Sequence, residues 1–313
     1  MNVMITGGTG FIGLHTTKKL IEEGYNVIAY DKNPRINVLK NFVDVNKVKI
    51  VMGDVLDFNK MLSVAKEFNV EYIIHMAALL TKASEDDPHQ AVKVNVEGTI
   101  NVLEVAKTLG IKKVIFTSSQ AVYGVTEERI IDEDYPKNPI TIYGVTKLTS
   151  ELIGLNYYRK YGLDFIALRF PMLYGPGAPE DTRRINQIVE GALKKQVIEI
   201  PVSSDNKYEP LYIIDGVNAI YLSLKAENLK HRVFNIGSGE MYSLKEIFET
   251  VKKFIPEAQV RFGTGPDLAY CTRGPLNIER ARKELNFHPQ YSLEKGIKHY
   301  LEVCGYKRLT HNS

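Results

Sequence analysis

Tyr143 and Lys147 stand four residues apart in the run Tyr143-Gly144-Val145-Thr146-Lys147, a spacing that puts both side chains on one face of a helix. A free phenol titrates at about pH 10 and is a poor base near neutrality. An ammonium beside it favours the phenolate and lowers that value. Such a tyrosine can take the proton of an alcohol while the carbinol carbon loses hydride. Ser119, in Thr117-Ser118-Ser119-Gln120, offers a hydroxyl that can hold the same alcohol. On its own a Tyr and Lys at this spacing are more often an exposed helical pair with no chemistry. The pair gains meaning from a second motif near the N-terminus, Gly7-Gly8-Thr9-Gly10-Phe11-Ile12-Gly13. A turn without Cβ atoms lets backbone N–H groups approach a pyrophosphate, and the start of a helix adds partial positive charge. Asp31 lies about 20 residues further on, where a carboxylate accepts both ribose hydroxyls of a dinucleotide and repels a 2′-phosphate. That favours NAD over NADP, although Lys32 and Arg35 stand close enough to argue the other way.

These groups need a scaffold, and the hydrophobic pattern supplies one. Val3-Met4-Ile5-Thr6 reads as a buried parallel strand, His15 to Glu23 as a helix with Leu14, Leu20 and Ile21 on one face, and Tyr25 to Asp31 as a second strand. Further strands are expected over 48–52, 71–76, 112–117 and 163–169, separated by helices over 59–68, 91–109 and from Tyr143 to Tyr161. Strands alternating with helices predict an α/β, doubly wound parallel sheet of the Rossmann type. Ligands of such sheets bind beyond the carboxyl ends of the strands, where Gly10, Asp31, Asp54, Ala77, Ser119 and Arg169 all fall. Asp54 can reach an adenine amino group, and the small Ala77-Ala78 lets the chain pass beside a nicotinamide ribose. His75, in an apolar setting with no second ligand at metal spacing, reads as a core histidine, and no metal is expected. The helix 91–109 is apolar on more than one face, so it is buried or meets a partner.

Residues 1–169 read as the dinucleotide-binding domain, with 211–236 returning to it. Residues 170–210 and 237–313 read as a smaller α+β lobe over the carboxyl edge, which makes a cleft for substrate. In that half, strands are expected at 211–215, 233–237 and 260–262. Helices are expected at 182–195, 217–226, 277–285 and 292–304, with Ser243-Leu244-Lys245-Glu246 as a capping box. The 313 residues are 44% hydrophobic and 25% charged, with a net charge of +3 and no long basic run, which argues against nucleic acid and anionic membranes as partners. The first strand leaves no room for a signal peptide, and no apolar run is long enough to span a membrane. Cys271 and Cys304 suggest no disulfide scaffold, so a reducing cytoplasm is the expected compartment.

The motifs together resemble the extended short-chain dehydrogenase/reductases, the NAD-dependent epimerase/dehydratase family. They are Thr6 to Gly13, His75-Met76-Ala77-Ala78-Leu79, Asn95-Val96-Glu97-Gly98-Thr99, Thr117 to Gly124, Tyr143 to Lys147 and Leu168-Arg169-Phe170. The resemblance implies NAD as cofactor, Tyr143 as base, Lys147 holding the nicotinamide ribose and tuning Tyr143, Ser119 positioning substrate, and Asn95 steadying the catalytic helix. It places Gly7, Thr9, Gly10, Phe11, Ile12, Asp31, Lys32, Asp54, Val55, Ala77, Ala78, Thr117, Tyr143, Lys147, Phe170 and Met172 around the cofactor. It also implies a homodimer through the helices 91–109 and 144–161.

Substrate is less determined. The family's dehydratases carry Asp-Glu after the catalytic Ser or Thr, where this chain has Gln120-Ala121, so dehydration is not expected. Its sugar-nucleotide epimerases carry diphosphate contacts at positions held here by Met172, by Tyr208-Glu209-Pro210 and by Gly265-Pro266-Asp267. Arg183, Arg184, Lys207 or Arg273 can replace those contacts. Other stretches, including Ala78-Leu79-Leu80-Thr81, Asp87-Pro88 and Arg169-Phe170-Pro171, are similar to the short-chain type of L-threonine dehydrogenase. That similarity brings Thr81 and Thr182 to a small substrate. The expected function is hydride transfer between NAD and a carbinol carbon of a small hydroxy compound or sugar. A sugar-nucleotide 4-epimerase is the alternative, and a non-catalytic NAD-binding regulator the reading from another class.

Overall fold

The computed structural model describes residues 1–126, 129–179, 184–267 and 273–306. Its centre is a seven-stranded sheet. Across the sheet the strands run Val233–Asn235, Phe165–Phe170, Lys113–Ser119, Tyr72–His75, Asn2–Thr6, Asn26–Asp31 and Val48–Met52. Every neighbouring pair is parallel. The chain order reverses at Asn2–Thr6, which has Tyr72–His75 on one side and Asn26–Asp31 on the other. Such a switch point opens a crevice at the carboxyl ends of the strands.

Apolar residues alternate between two cores. Val3, Ile5, Val27, Ala29, Ile74, Ile115, Ile166 and Leu168 face one side. Met4, Ile28, Tyr30, Ile73, Val114, Phe116, Phe165 and Ala167 face the other. Both faces are covered, which is why the strands read as continuous apolar runs rather than alternating ones. The first core continues into the second half of the chain through Tyr174, Ile185, Leu211, Tyr212, Ile247 and Ile297.

The six expected strands of the sheet are present, and a seventh, Val233–Asn235, pairs with Phe165–Phe170 at its edge. One expectation is corrected and one refined. Ile213-Ile214-Asp215 is not strand: the strand ends at Tyr212, and the helix Ile213–Lys225 begins at once. Asp215 then caps the approach of another segment by accepting from the backbone N–H groups of Gln290 and Tyr291. The helix expected over 91–109 is present and uninterrupted but is not regular α-helix throughout. Pro88–Ala91 leads into a widened π-type turn, Val92–Glu97, before the α-helix Gly98–Leu109. Met172–Tyr174 adds a short strand paired in parallel with Pro210–Tyr212. Two further small pairings, Gln259–Phe262 with Val197–Ile200 and Tyr242–Ser243 with Lys207–Tyr208, frame the second half. The capping box at Ser243 and Glu246 is present. Among the described residues no helix is long and apolar enough to cross a membrane.

Candidate active site

The glycine turn joins Asn2–Thr6 to the helix Phe11–Glu22. Gly7 takes φ +68°, a left-handed value suited to glycine, and a Cβ there would lie 3.0 Å from Ala77 N. A Cβ on Gly13 would lie 2.1 Å from Gly7 O, so only glycine lets the helix sit this close to the turn. Gly10 N donates to Gly7 O at 3.0 Å, and Gly10 O starts the helix by accepting from Leu14 N. The helix thus starts at Phe11 behind the N-cap Gly10, with no acidic side chain in its first turn. A cradle that a Cβ at Gly7, Gly8 or Gly13 would fill, at a helix with no acidic residue in its first turn, fits a bound dinucleotide.

Asp31 sits at its strand end and accepts from Thr9 N at 3.1 Å and Thr9 Oγ1 at 2.7 Å through one oxygen. Thr9 Oγ1 in turn accepts from Arg35 N. The Arg35 guanidinium reaches Gly177 O at 3.3 Å, and Lys32 pairs with Asp54 at 2.9 Å. Both cations that argued for a 2′-phosphate are therefore engaged elsewhere. Asp54 also accepts from Leu56 N, and the Lys32 ammonium holds its carboxyl below the ordinary range against the opposing effect of burial. Val55 is buried against Gly98, where a Cβ would lie 2.6 Å from its Cγ2.

Tyr143 and Lys147 lie on the helix Ile142–Tyr161, which Thr141 caps by accepting from Gly144 N. Lys147 is buried, and its Nζ donates to Thr117 O at 2.8 Å. The same Nζ lies 4.7 Å from the Phe116 ring centre and 5.7 Å from that of Tyr143. Burial lowers its pKa to about 7, with the Glu151 carboxylate pulling the other way. Ser119 ends its strand opposite Phe170 and accepts from Ala121 N. A Cβ on Gly144 would lie 2.6 Å from Ala121 O. The turn after Ser119 therefore rests on the helix Ile142–Tyr161 one residue past Tyr143.

A polar chain that sequence reasoning missed ties this helix to the glycine turn. Thr6 Oγ1 meets His75 Nδ1 at 2.6 Å, and His75 Nε2 meets Thr99 Oγ1 at 3.0 Å. Thr99 donates to Asn95 O at 2.5 Å, so His75 carries its proton on Nε2 and accepts at Nδ1. Burial lowers the His75 pKa to about 3, so the ring is neutral. Asn95 holds Leu79 through both backbone groups and donates to Thr146 Oγ1 at 2.9 Å. Its carbonyl also accepts from Ser150. The widened turn at 92–97 leaves that carbonyl available to two side chains, a common use of π-type turns at functional sites. The individual threonines carry no pattern that sequence alone would single out.

Arg169 is a strand-end residue that does not present its charge to the cleft. It grips buried Glu151 with two bonds of 3.0 and 2.6 Å and reaches Tyr123 OH at 2.7 Å. Glu151 also accepts from Ser118, and Tyr123 donates to Asn235. Glu151 follows Lys147 by one helical turn, so Tyr143, Lys147 and Glu151 form one row. Phe170 and Met172 are buried at the same edge, and Thr81 opens the short helix Thr81–Asp86. Thr182 and Arg183 lie outside the described residues. Of the cations expected to meet a diphosphate, Arg184 pairs with Asp267 at 3.0 Å, and buried Arg273 donates to Gly124 O. Tyr208 OH donates to the same Asp267 oxygen at 2.8 Å.

A profile of the NAD dependent epimerase/dehydratase family matches residues 3–237. The chain belongs to this family. It is 30% identical to a UDP-glucose 4-epimerase of Mycolicibacterium smegmatis over 96% of this chain and 98% of that protein. It is 29% identical to the mitochondrial L-threonine 3-dehydrogenase of Bos taurus, over 97% and 82% respectively. Among solved structures, a Thermotoga maritima UDP-glucose 4-epimerase with UDP-glucose aligns with a TM-score of 0.89, 27% identity and full coverage of both chains. An L-threonine dehydrogenase from Clostridium difficile aligns with a TM-score of 0.88 and 31% identity over 98% of both chains. The epimerase/dehydratase family thus supplies both relatives that the sequence motifs suggested.

Proposed function

We propose that this chain is an NAD-dependent oxidoreductase that moves hydride between the cofactor and a carbinol carbon of a small hydroxy compound or sugar, with Tyr143 as general base. NAD, when bound, supplies the hydride acceptor. Ser119 holds the substrate hydroxyl, and Tyr143 takes its proton. Lys147, protonated, pulls the Tyr143 phenol toward its ionised form. Its amine is held near neutrality by burial, so its charge responds to what binds beside it. The observation that carries the reading is the linkage of Tyr143 and Lys147, through Thr146, Asn95, Thr99 and His75, to the strand that ends in the glycine turn. Asp31, with Lys32 and Arg35 otherwise engaged, supports NAD over NADP.

The Tyr208–Asp267–Arg184 cluster supports a dehydrogenase. Where the family's epimerases place diphosphate contacts, this chain puts a carboxylate that already pairs with Arg184 and Tyr208. A UDP-sugar 4-epimerase is the second reading, favoured by likeness to such enzymes along the whole chain. Dehydration is disfavoured because Gln120 and Ala121 provide no acid or base beside Ser119. A regulator without catalysis is disfavoured because both Tyr143 and Lys147 are retained. Purified protein incubated with NAD and either L-threonine-type hydroxy compounds, free sugars or UDP-sugars separates these readings. Net NADH supports the dehydrogenase, and a converted sugar without NADH the epimerase. No conversion in any arm, with NAD bound, supports the regulator. A homodimer is part of the proposal. Val145 and Leu152, on one face of the helix Ile142–Tyr161, are 45% and 54% exposed, and Val92, in the turn Val92–Glu97 packed beside that helix, is 51% exposed.

A further inference from the structure

Among the described residues, the buried side-chain atoms without a hydrogen-bond partner are Gln120 Oε1, Asp164 Oδ1, Asn186 Oδ1 and Arg232 Nε. Two of these answer each other, since Asp164 Oδ1 and Arg232 Nε form an ion pair at 3.5 Å. Asn186 spends its amide nitrogen on Gly175 O and Tyr300 OH inside the second lobe. Gln120 is the one that follows directly on Ser119. It opens the single turn Gln120–Tyr123 at the carboxyl end of the strand Lys113–Ser119 and is 9% exposed.

The neighbouring hydroxyls already have partners of their own. Thr117 Oγ1 donates to His75 O, and Ser118 Oγ to Glu151. Ser119 Oγ accepts from Ala121 N, and the turn is wedged against Gly144. A buried amide oxygen loses its water on folding and recovers nothing unless a donor reaches it. Among the described residues no donor reaches Gln120 Oε1.

We propose that Gln120 is a specificity-determining residue whose side-chain oxygen accepts a second hydrogen bond from the substrate, from a hydroxyl or ammonium close to the reacting carbinol. This rests on Ser119 and Tyr143 receiving the carbinol itself. Ser119 ends the strand and Gln120 opens the turn that follows at the same carboxyl edge, so within this proposal one small molecule meets both. The substrate class is therefore a vicinal diol or a vicinal amino alcohol, not a simple secondary alcohol. A site that hydrogen-bonds a polar group discriminates strongly against an analogue that lacks it, because its own partner is then left unpaired.

The test compares the full-length protein with Gln120→Met, each with NAD, on paired compounds. The amino-alcohol pair is L-threonine and 3-hydroxybutyrate. The diol pair is a sugar and its deoxy analogue at the neighbouring carbon. The proposal predicts that Gln120→Met lowers kcat/KM about 30-fold or more on the preferred compound and abolishes its preference over the analogue. NAD affinity stays within about twofold, and the Tm of the ligand-free protein is unchanged or raised, because an unpaired oxygen has been removed. A kcat/KM within about threefold of the parent, or a fall in ligand-free Tm, overturns it. Tyr143→Phe is assayed alongside. If that variant turns over normally while Gln120→Met does not, the reading of the base fails and the specificity role stands. If the parent turns over nothing, the Tm comparison alone decides, and a fall overturns the proposal.

Discussion

Gly10 and Gly13 separate what the glycine turn does for the fold from what it does for a ligand. A Cβ at Gly13 would stand 2.1 Å from Gly7 O and 2.7 Å from Gly8 C, and both are backbone atoms that cannot rotate away. Overpacking of this kind costs about 1–3 kcal/mol or more. At about 2 °C per kcal/mol for a chain of this size, Gly13→Ala lowers Tm by about 2–6 °C. Gly10 differs. Its backbone has φ −68° and ψ 179°, which any residue adopts, and an added Cβ meets nothing nearer than Gly7 O at 3.1 Å. Gly10→Ala therefore leaves the ligand-free Tm within about 2 °C of the parent, or raises it slightly through the stiffer unfolded chain. In the proposed site, the space it fills is the one through which a pyrophosphate approaches the helix start. A loss of about 100-fold in NAD affinity is expected, equivalent to about 2.7 kcal/mol. Calorimetric titration with NAD, together with melting curves with and without the cofactor, measures both effects. If Gly10→Ala binds NAD like the parent, the cofactor does not cross this turn and the placement of the whole site is wrong.

The remaining predictions concern charge and assembly. Glu151→Gln strips the carboxylate from buried Arg169, and denaturant unfolding should show a loss of about 3–5 kcal/mol. Replacing both partners with apolar residues of similar size should cost much less. His75 has a folded pKa of about 3, below its ordinary 6.5, so the unfolded chain binds the extra proton between those values. Its contribution to stability is complete above pH 6.5 and is lost as pH falls toward 3. Across that window Tm should fall more steeply for the parent than for His75→Gln. Leu152→Glu puts a charge on the exposed face of the catalytic helix, and sedimentation should show a shift from dimer to monomer with the monomer still folded.

The first half of the chain was legible because its physics is local. Continuous apolar runs marked the strands, glycines marked the turn, and the row from Tyr143 to Lys147 needed only helical spacing. The misreadings have specific causes. Ile213-Ile214-Asp215 continues an apolar run, and nothing in that run shows that the chain turns helical at Ile213, where packing rather than local preference decides. The widening at 92–97 goes with a bond to the Asn95 carbonyl from Ser150, 55 residues further along, which no window of sequence contains. Arg169 lay at a strand end among ligand-facing positions. Its role emerged only when Glu151, Tyr123 and Asn235 were brought around it. The second half was harder, because its short strands pair across long separations, as Lys207–Tyr208 does with Tyr242–Ser243.

The central claim is that Tyr143, set beside Lys147, takes the proton of an alcohol while NAD takes its hydride. The most direct measurement is the rate of a single turnover by Tyr143→Phe at saturating NAD and substrate, followed by NADH absorbance or, for an epimerase, by the converted sugar. The account predicts a fall of about 10²–10⁴-fold, with NAD affinity and Tm close to those of the parent. A variant that binds NAD normally and still turns over at the parent rate would contradict it.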